Sequence, residues 1–303
     1  MKTLTSSFTT SKTIIFSQLV TIICVVFTLY CSESLQNIVS GLGILSFGII
    51  HGANDLKILS KKKLKNNSLL GIPFLKLYIL VVLLGVLIFY FIPGIALLTF
   101  VVVSCYHFGE QHWQGKLDYK KRTLIFYTAY GSTIFLMLFS FHYPEVENII
   151  FQISSISIPF QFFWMLLLFV GSVLMLFMYF KIKNINNLLS EAMLLGILAL
   201  LFYKGSLLFG FGLYFVLWHS LPSLKSQITY LYGAKEGSPY IRYLKSAFLY
   251  WVLALIGLVS LYFFGVLPKD QYLSVFFSFL AAITFPHVIV MGLMFQSPKH
   301  DSN

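Results

Sequence analysis

This chain is short of charge. Only 10% of its 303 residues are charged, and Asp and Glu together number 10. A water-soluble domain carries about a quarter charged residues. The shortage excludes an ordinary soluble globular fold. Cysteine is scarcer still. Cys24, Cys31 and Cys105 form an odd, widely spaced set that gives neither a disulfide framework nor a Cys-rich metal site. No soluble domain, low-complexity tract or sequence repeat stands out. The formal net charge of +11 comes without a nucleic-acid motif or a basic stripe carrying stacking aromatics, so no nucleic-acid partner is expected.

What the chain does have is apolar length. It is 58% hydrophobic with mean hydropathy +0.85, and it holds 32 Phe and 18 Tyr. Apolar runs of about 20 residues, the length that crosses a bilayer core as a helix, recur throughout. Ten spans are expected, near 13–31, 38–58, 72–92, 95–115, 121–141, 160–180, 187–203, 206–225, 246–266 and 271–296. The expected fold is therefore all-α: a polytopic transmembrane helical bundle forming one integral membrane domain over 1–303. The first run lacks an A-x-A-like cleavage site and reads as a retained helix. The longest loops are expected at His142–Phe160 and over the basic stretch Lys225–Lys245.

The basic residues test that count. With a cytoplasmic N-terminus, of the 21 Lys and Arg only Lys204 and Lys269 fall outside. The acidic "PEVE" of Pro144–Glu147 falls outside as well. This positive-inside asymmetry supports an even number of spans, both termini cytoplasmic, and a multi-pass cell membrane protein of bacterial inner-membrane type.

Five of the seven histidines fall within spans. His51 lies in the second, His107 and His112 in the fourth, His219 in the eighth and His287 in the tenth. His142 and His300 fall in expected loops and read as solvated. His51 precedes Lys57, and His219 precedes Lys225, by six residues, roughly 9 Å of helix rise. His107 precedes Lys116 by nine, roughly 13 Å. Four even-numbered helices thus place a histidine at similar depth in the cytoplasmic half. Ionisable groups inside a bilayer are costly and face the bundle interior with a partner, and neutral imidazole is the commonest metal ligand. Imidazole suits Fe, Zn and Cu alike, so ligand type leaves the metal open. Separate satisfaction of each imidazole by a carbonyl or hydroxyl is the competing reading.

Each histidine has company. Asp55 follows His51 by four residues, on the same helical face. There it either orients that imidazole or pairs with a lysine of the basic loop. Gly48 and Gly52 frame His51 in a G-x-x-x-G spacing that permits close helix approach. "SCYHFGEQHW" (Ser104–Trp113) is the densest polar cluster in any span. Its Glu110 stands three residues past His107, within reach of the ring N–H. His112, five past His107, is turned partly off that face. Asp55 and Glu110 are the candidate catalytic carboxylates. Trp218, Ser220 and Ser223 accompany His219, and a proline immediately precedes His287.

Four stretches, "GIIHGANDL" (Gly48–Leu56), "SCYHFGE" (Ser104–Glu110), "WHSLPS" (Trp218–Ser223) and "FPHVIVM" (Phe285–Met291), together resemble the Brp/Blh family of membrane β-carotene 15,15′-dioxygenases. The resemblance spans nearly the whole chain. It implies an Fe(II) enzyme that cleaves the central double bond of β-carotene with O₂ to give two all-trans-retinal molecules. By position it makes His51, His107 and His219 ligands, and it matches His287 and Asp55 to a histidine and an aspartate of the family's motifs. There are two departures. The family often carries a second histidine four residues after the one at His219, where this chain has Ser223. It also often has an aspartate where this chain has His112. His112 or His287 is the candidate replacement for the missing ligand.

Other classes fit less well. A transporter with histidines along an ion path more often shows interrupted helices in matching halves, and no such symmetry is present. A membrane desaturase presents H-x-x-x-H and H-x-x-H-H boxes, which are absent. An assembly factor for retinal proteins is the remaining alternative, and its histidines need not converge on a metal.

Overall fold

The computed structural model describes residues 11–61, 68–69, 72–113, 116, 123–182, 185–233, 238–264 and 272–295. Its helices are α1 (Ser11–Tyr30), α2 (Glu33–Gly43), α3 (Asp55–Lys61), α4 (Phe74–Phe91), α5 (Pro93–Trp113), α6 (Leu124–Phe141) and α7 (Tyr143–Ser154). There follow α8 (Phe160–Lys181), α9 (Ile185–Lys204), α10 (Leu207–Leu213), α11 (Leu221–Tyr232), α12 (Pro239–Phe264) and α13 (Tyr272–Phe295). Two π-helical stretches, Ile44–Gly48 and Tyr214–Ser220, extend α2 and join α10 to α11. Among the described residues the only strand pairing is a two-residue ladder, Ser68–Leu69 against Ile72–Pro73. The fold is all-α, as expected.

Eight helices among the described residues are long and apolar enough to cross a membrane, and α1 adds the shorter apolar stretch Ile14–Tyr30. Their outer faces carry large apolar side chains in the open, such as Phe180 at 70% and Phe263 at 74% exposure. A continuous apolar surface of this kind suits lipid, not water. The chain is a multi-pass membrane protein.

Three expectations change. The span expected at 38–58 is interrupted: after the π-helical stretch the chain turns over 51–54 and restarts as α3. Gly48, Gly52 and Asn54 are poor helix formers, and Asn54 bonds elsewhere. The loop expected at 142–160 contains α7. Pro144 and Glu145 sit in its first turn, where proline's missing N–H costs nothing and a carboxylate suits the helix dipole. The loop expected at 225–245 is largely helical, because α10 to α11 runs unbroken over Leu207–Tyr232 and α12 starts at Pro239. Gly233, at φ +67°, ends α11 in the left-handed conformation that glycine tolerates.

The helices sort into two compact units interleaved in sequence. The first comprises Met1–Phe47, Ser104–Asn148 and Ser157–Pro222. Within it α1 packs on α9, α2 on α10, and α6 on α8 and α9. Polar side chains tie these pairs. Gln18 donates to the Ser190 carbonyl at 3.1 Å, and Ser40 to that of Leu208 at 2.6 Å. The Trp218 indole donates to Thr21 at 3.0 Å. Gly109 and Gly131 lie against the backbone of Tyr127 and Cys105 respectively, so α5 and α6 touch main chain to main chain. This is how small residues pack membrane helices.

The second unit comprises Gly48–Val103, Ile149–Ile156 and Ser223–Asn303. Within it α13 packs on α3, α4 and α12. Its core gathers Ile58, Leu59, Phe74, Ile228, Leu231, Tyr243 and Met291.

Candidate metal centre

A histidine pair forms in the second unit. The turn after α2 is held by short-range bonds, Gly52 N–H to Ile49 O and Ala53 N–H to Ile50 O, both 3.1 Å. It delivers His51 to the interior at 4% exposure. The His51 Nδ1 faces the Gly48 carbonyl. His287, on α13 just after the in-helix Pro286, brings its ring to 4.8 Å from that of His51, edge to face at 88°. Each offers a ligand nitrogen, and the two nitrogens lie within 4.8 Å of one another.

Asp55 opens α3 beneath this pair at 2% exposure. The sequence offered it His51 or a lysine. The structure gives it His287, whose Nδ1 is 2.9 Å from Oδ1 and 3.2 Å from Oδ2. Tyr78 donates to Oδ2 at 3.3 Å. The neighbouring lysines turn away: Lys57 reaches the Tyr232 hydroxyl, and Lys61 the carbonyls of Tyr230 and Leu231. The interrupted helix accounts for the change, since the four-residue face argument requires a continuous one. A carboxylate on Nδ1 fixes the imidazole tautomer with the Nε2 lone pair outward, the arrangement that raises ligand basicity. The Gly48 carbonyl does the same for His51.

A second histidine pair forms in the first unit. His107 on α5 is fully buried, and His219 is 2% exposed. Their rings lie 4.8 Å apart at 75°. His219 stands in the π-helical stretch, where Leu221 N–H reaches back five residues to Val216 O and the Ser220 hydroxyl donates to Phe215 O at 2.8 Å. Such π-turns are frequent at functional sites because they re-aim a side chain. Phe108 stacks on the His219 ring at 4.3 Å and Phe215 at 5.6 Å. Glu110, half-buried, accepts from the Tyr106 hydroxyl at 2.7 Å.

His112 belongs to a different cluster of the first unit. Its Nε2 lies 2.9 Å from Glu191 Oε2, 2.9 Å from the Tyr130 hydroxyl and 2.8 Å from Lys116 Nζ. Lys116 also donates to Glu191 Oε1 at 2.7 Å. The ammonium of Lys116 already supplies the positive charge that this carboxylate needs, so the cluster is a buried ion-pair network. Glu191 was not singled out in the sequence, although a lone carboxylate in the span 187–203 is itself a signal. Tyr78 and Tyr130 carry no such signal among 18 tyrosines.

Ser223, where the resemblance puts a second histidine, is wholly buried in the second unit and accepts from Gln227 Nε2 at 3.1 Å. Gln227 also reaches Met291 Sδ, one turn beyond His287, at 3.5 Å. His142, expected in solvent, caps the end of α6 half-buried, and burial pushes its imidazole pKa down. His300 lies outside the described residues.

The fold and these interiors define the class: a polytopic helical membrane protein with buried imidazole pairs, of which the His51 and His287 pair has nitrogens close enough to share a metal ion. Residues 42–295 match the family model described as beta-carotene 15,15′-dioxygenase, a range that contains His51, Asp55, His107, Glu110, His219 and His287. The chain belongs to that family and is an enzyme of the carotenoid dioxygenase type. Neither comparison with curated proteins nor comparison with solved structures gives a match.

Proposed function

We propose that the chain is an Fe(II)-dependent β-carotene 15,15′-dioxygenase that holds one iron ion with His51, His107, His219 and His287. The observation that carries the reading is the family match over 42–295, joined to two buried imidazole pairs, the first with ligand nitrogens within 4.8 Å of one another. That both pairs serve a single ion rests on the sequence resemblance. Four neutral imidazoles leave the ion its full charge, and iron among the metals they suit is the choice the resemblance makes. The iron would supply the one-electron chemistry that makes O₂ reactive toward an alkene.

The chain's own residues do the rest. Asp55 keeps His287 in its ligand tautomer, and Tyr78 shares the carboxylate's charge. Phe108 and Phe215 pack against His219 and keep water from it. Glu110, three residues past His107 on α5, is the second proposed catalytic carboxylate. The substrate partitions into lipid, so a site inside a membrane bundle meets it where it is dissolved. In the reaction the C15=C15′ bond breaks and two C=O bonds form, with one atom of O₂ entering each retinal. The membrane is the cell membrane.

The test is anaerobic loading of the purified protein with Fe(II), then β-carotene and O₂. The reading requires two equivalents of retinal per carotene and no product without iron. Product formed equally by metal-stripped protein overturns the iron assignment.

A further inference from the structure

We propose that Tyr243 is a positioning residue for the ligand His51, acting through the backbone of the turn that carries it. The inference rests on the metal reading above. All the residues involved belong to the second unit.

An uninterrupted helix would bond the carbonyl of His51 to the N–H of Asp55. Here Asp55 N–H goes to Gly52 O at 3.3 Å, so the break takes that donor from His51 O. A carbonyl released inside a membrane must find another donor. Tyr243, on α12 and fully buried, brings its hydroxyl to 3.2 Å from His51 O and 3.3 Å from Ile50 O. Gln227 Oε1 holds the same hydroxyl at 2.7 Å, so one phenolic proton faces three carbonyl oxygens.

The other end of the turn is tied to the same stretch of α12. Asn54 Nδ2 donates to the Tyr243 carbonyl at 3.1 Å, and Ser246 donates to Asn54 Oδ1 at 2.8 Å. Asn54 thereby spends its side chain on α12 and not on capping α3. The residues before and after His51 are gripped by about one turn of a single helix, Tyr243 to Ser246. The imidazole that leaves this turn has its height and direction set by that grip. Gln227 extends the grip to α13 through Met291, the helix that presents His287. No ring of the clamp is a metal ligand; it acts on the main chain.

The test compares wild type, Tyr243→Phe, and Tyr240→Phe as an exposed control on the same helix. Two readouts are taken: amide hydrogen exchange over residues 48–54 without metal, and the rate at which loaded Fe(II) is lost to a chelator. Losing one hydrogen bond of ordinary net strength should speed exchange in the turn roughly two- to tenfold. It should also speed iron loss roughly tenfold, the low end for a group supporting a ligand. Tyr240→Phe should change neither. Unchanged exchange and unchanged iron loss in a folded Tyr243→Phe overturn the proposal. Should that variant not fold, Ser246→Ala, which removes one of the two bonds at the Asn54 end, must show the same two changes in smaller measure. If wild type retains no more iron than His51→Ala, the metal reading fails. The exchange readout still decides whether Tyr243 holds the turn.

Discussion

Asp55 and His287 stand 232 positions apart in the chain, yet Asp55 Oδ1 lies 2.9 Å from His287 Nδ1 with both side chains buried. The contact joins the first turn of α3 to the middle of α13. It links the first and last of the four motifs. A carboxylate is not buried here for stability, since desolvating it is expensive. Its place behind an imidazole gives that expense a purpose.

Asp55→Asn keeps an acceptor for the His287 ring N–H but removes the charge. Iron affinity should fall roughly 10–100-fold, the usual cost of removing a ligand's supporting partner. The fold should survive. Iron titration followed against thermal unfolding of the metal-free protein separates the two effects.

Alanine at His51, His107, His219 or His287 should each abolish stoichiometric iron retention, read by metal analysis of the purified protein. His112→Ala should keep its iron, because His112 is committed to Glu191, Tyr130 and Lys116. Loss of iron from His112→Ala, with retention in one of the four, would reassign the ligand set.

Glu191→Ala leaves Lys116 and His112 without their carboxylate in a buried site. Breaking one side of a buried ion pair costs about 3–5 kcal/mol. The variant should show a marked loss of stability in detergent, with iron binding intact in the fraction that folds. Equal stability in wild type and variant would show that the network is solvated.

Gly131→Ala places a methyl group against the Cys105 main chain. Neither backbone can yield without parting α5 from α6. Overpacking of this kind costs about 1–3 kcal/mol, and the shift should carry His107 with it. Reduced thermal stability together with weaker iron binding is the expected pair of results. Gly171→Ala, where nothing stands within 4 Å, is the silent control.

The helices were legible because apolar length is a strong signal: eight of the expected spans reappear as long apolar helices. What periodicity could not show was the break at 51–54 or the π-helical stretch through His219. Both run against the ideal geometry that a 3.6-residue reading assumes, and both sit at histidines. The four histidines were legible because imidazole is rare and costly in a bilayer. Asp55 was found with the wrong partner, since its true one lies on a helix far along the chain. Tyr243 and Tyr78 were invisible, because a tyrosine in an aromatic-rich chain looks like packing until its hydroxyl is placed.

The most direct measurement of the central claim uses cells that make β-carotene. Wild type and His51→Ala are expressed in them, both shown to be folded in the membrane, and retinal is assayed by chromatography. The account requires retinal from wild type, with β-carotene consumed, and only the empty-vector level from His51→Ala. Folded, iron-loaded wild type that leaves β-carotene untouched would contradict it.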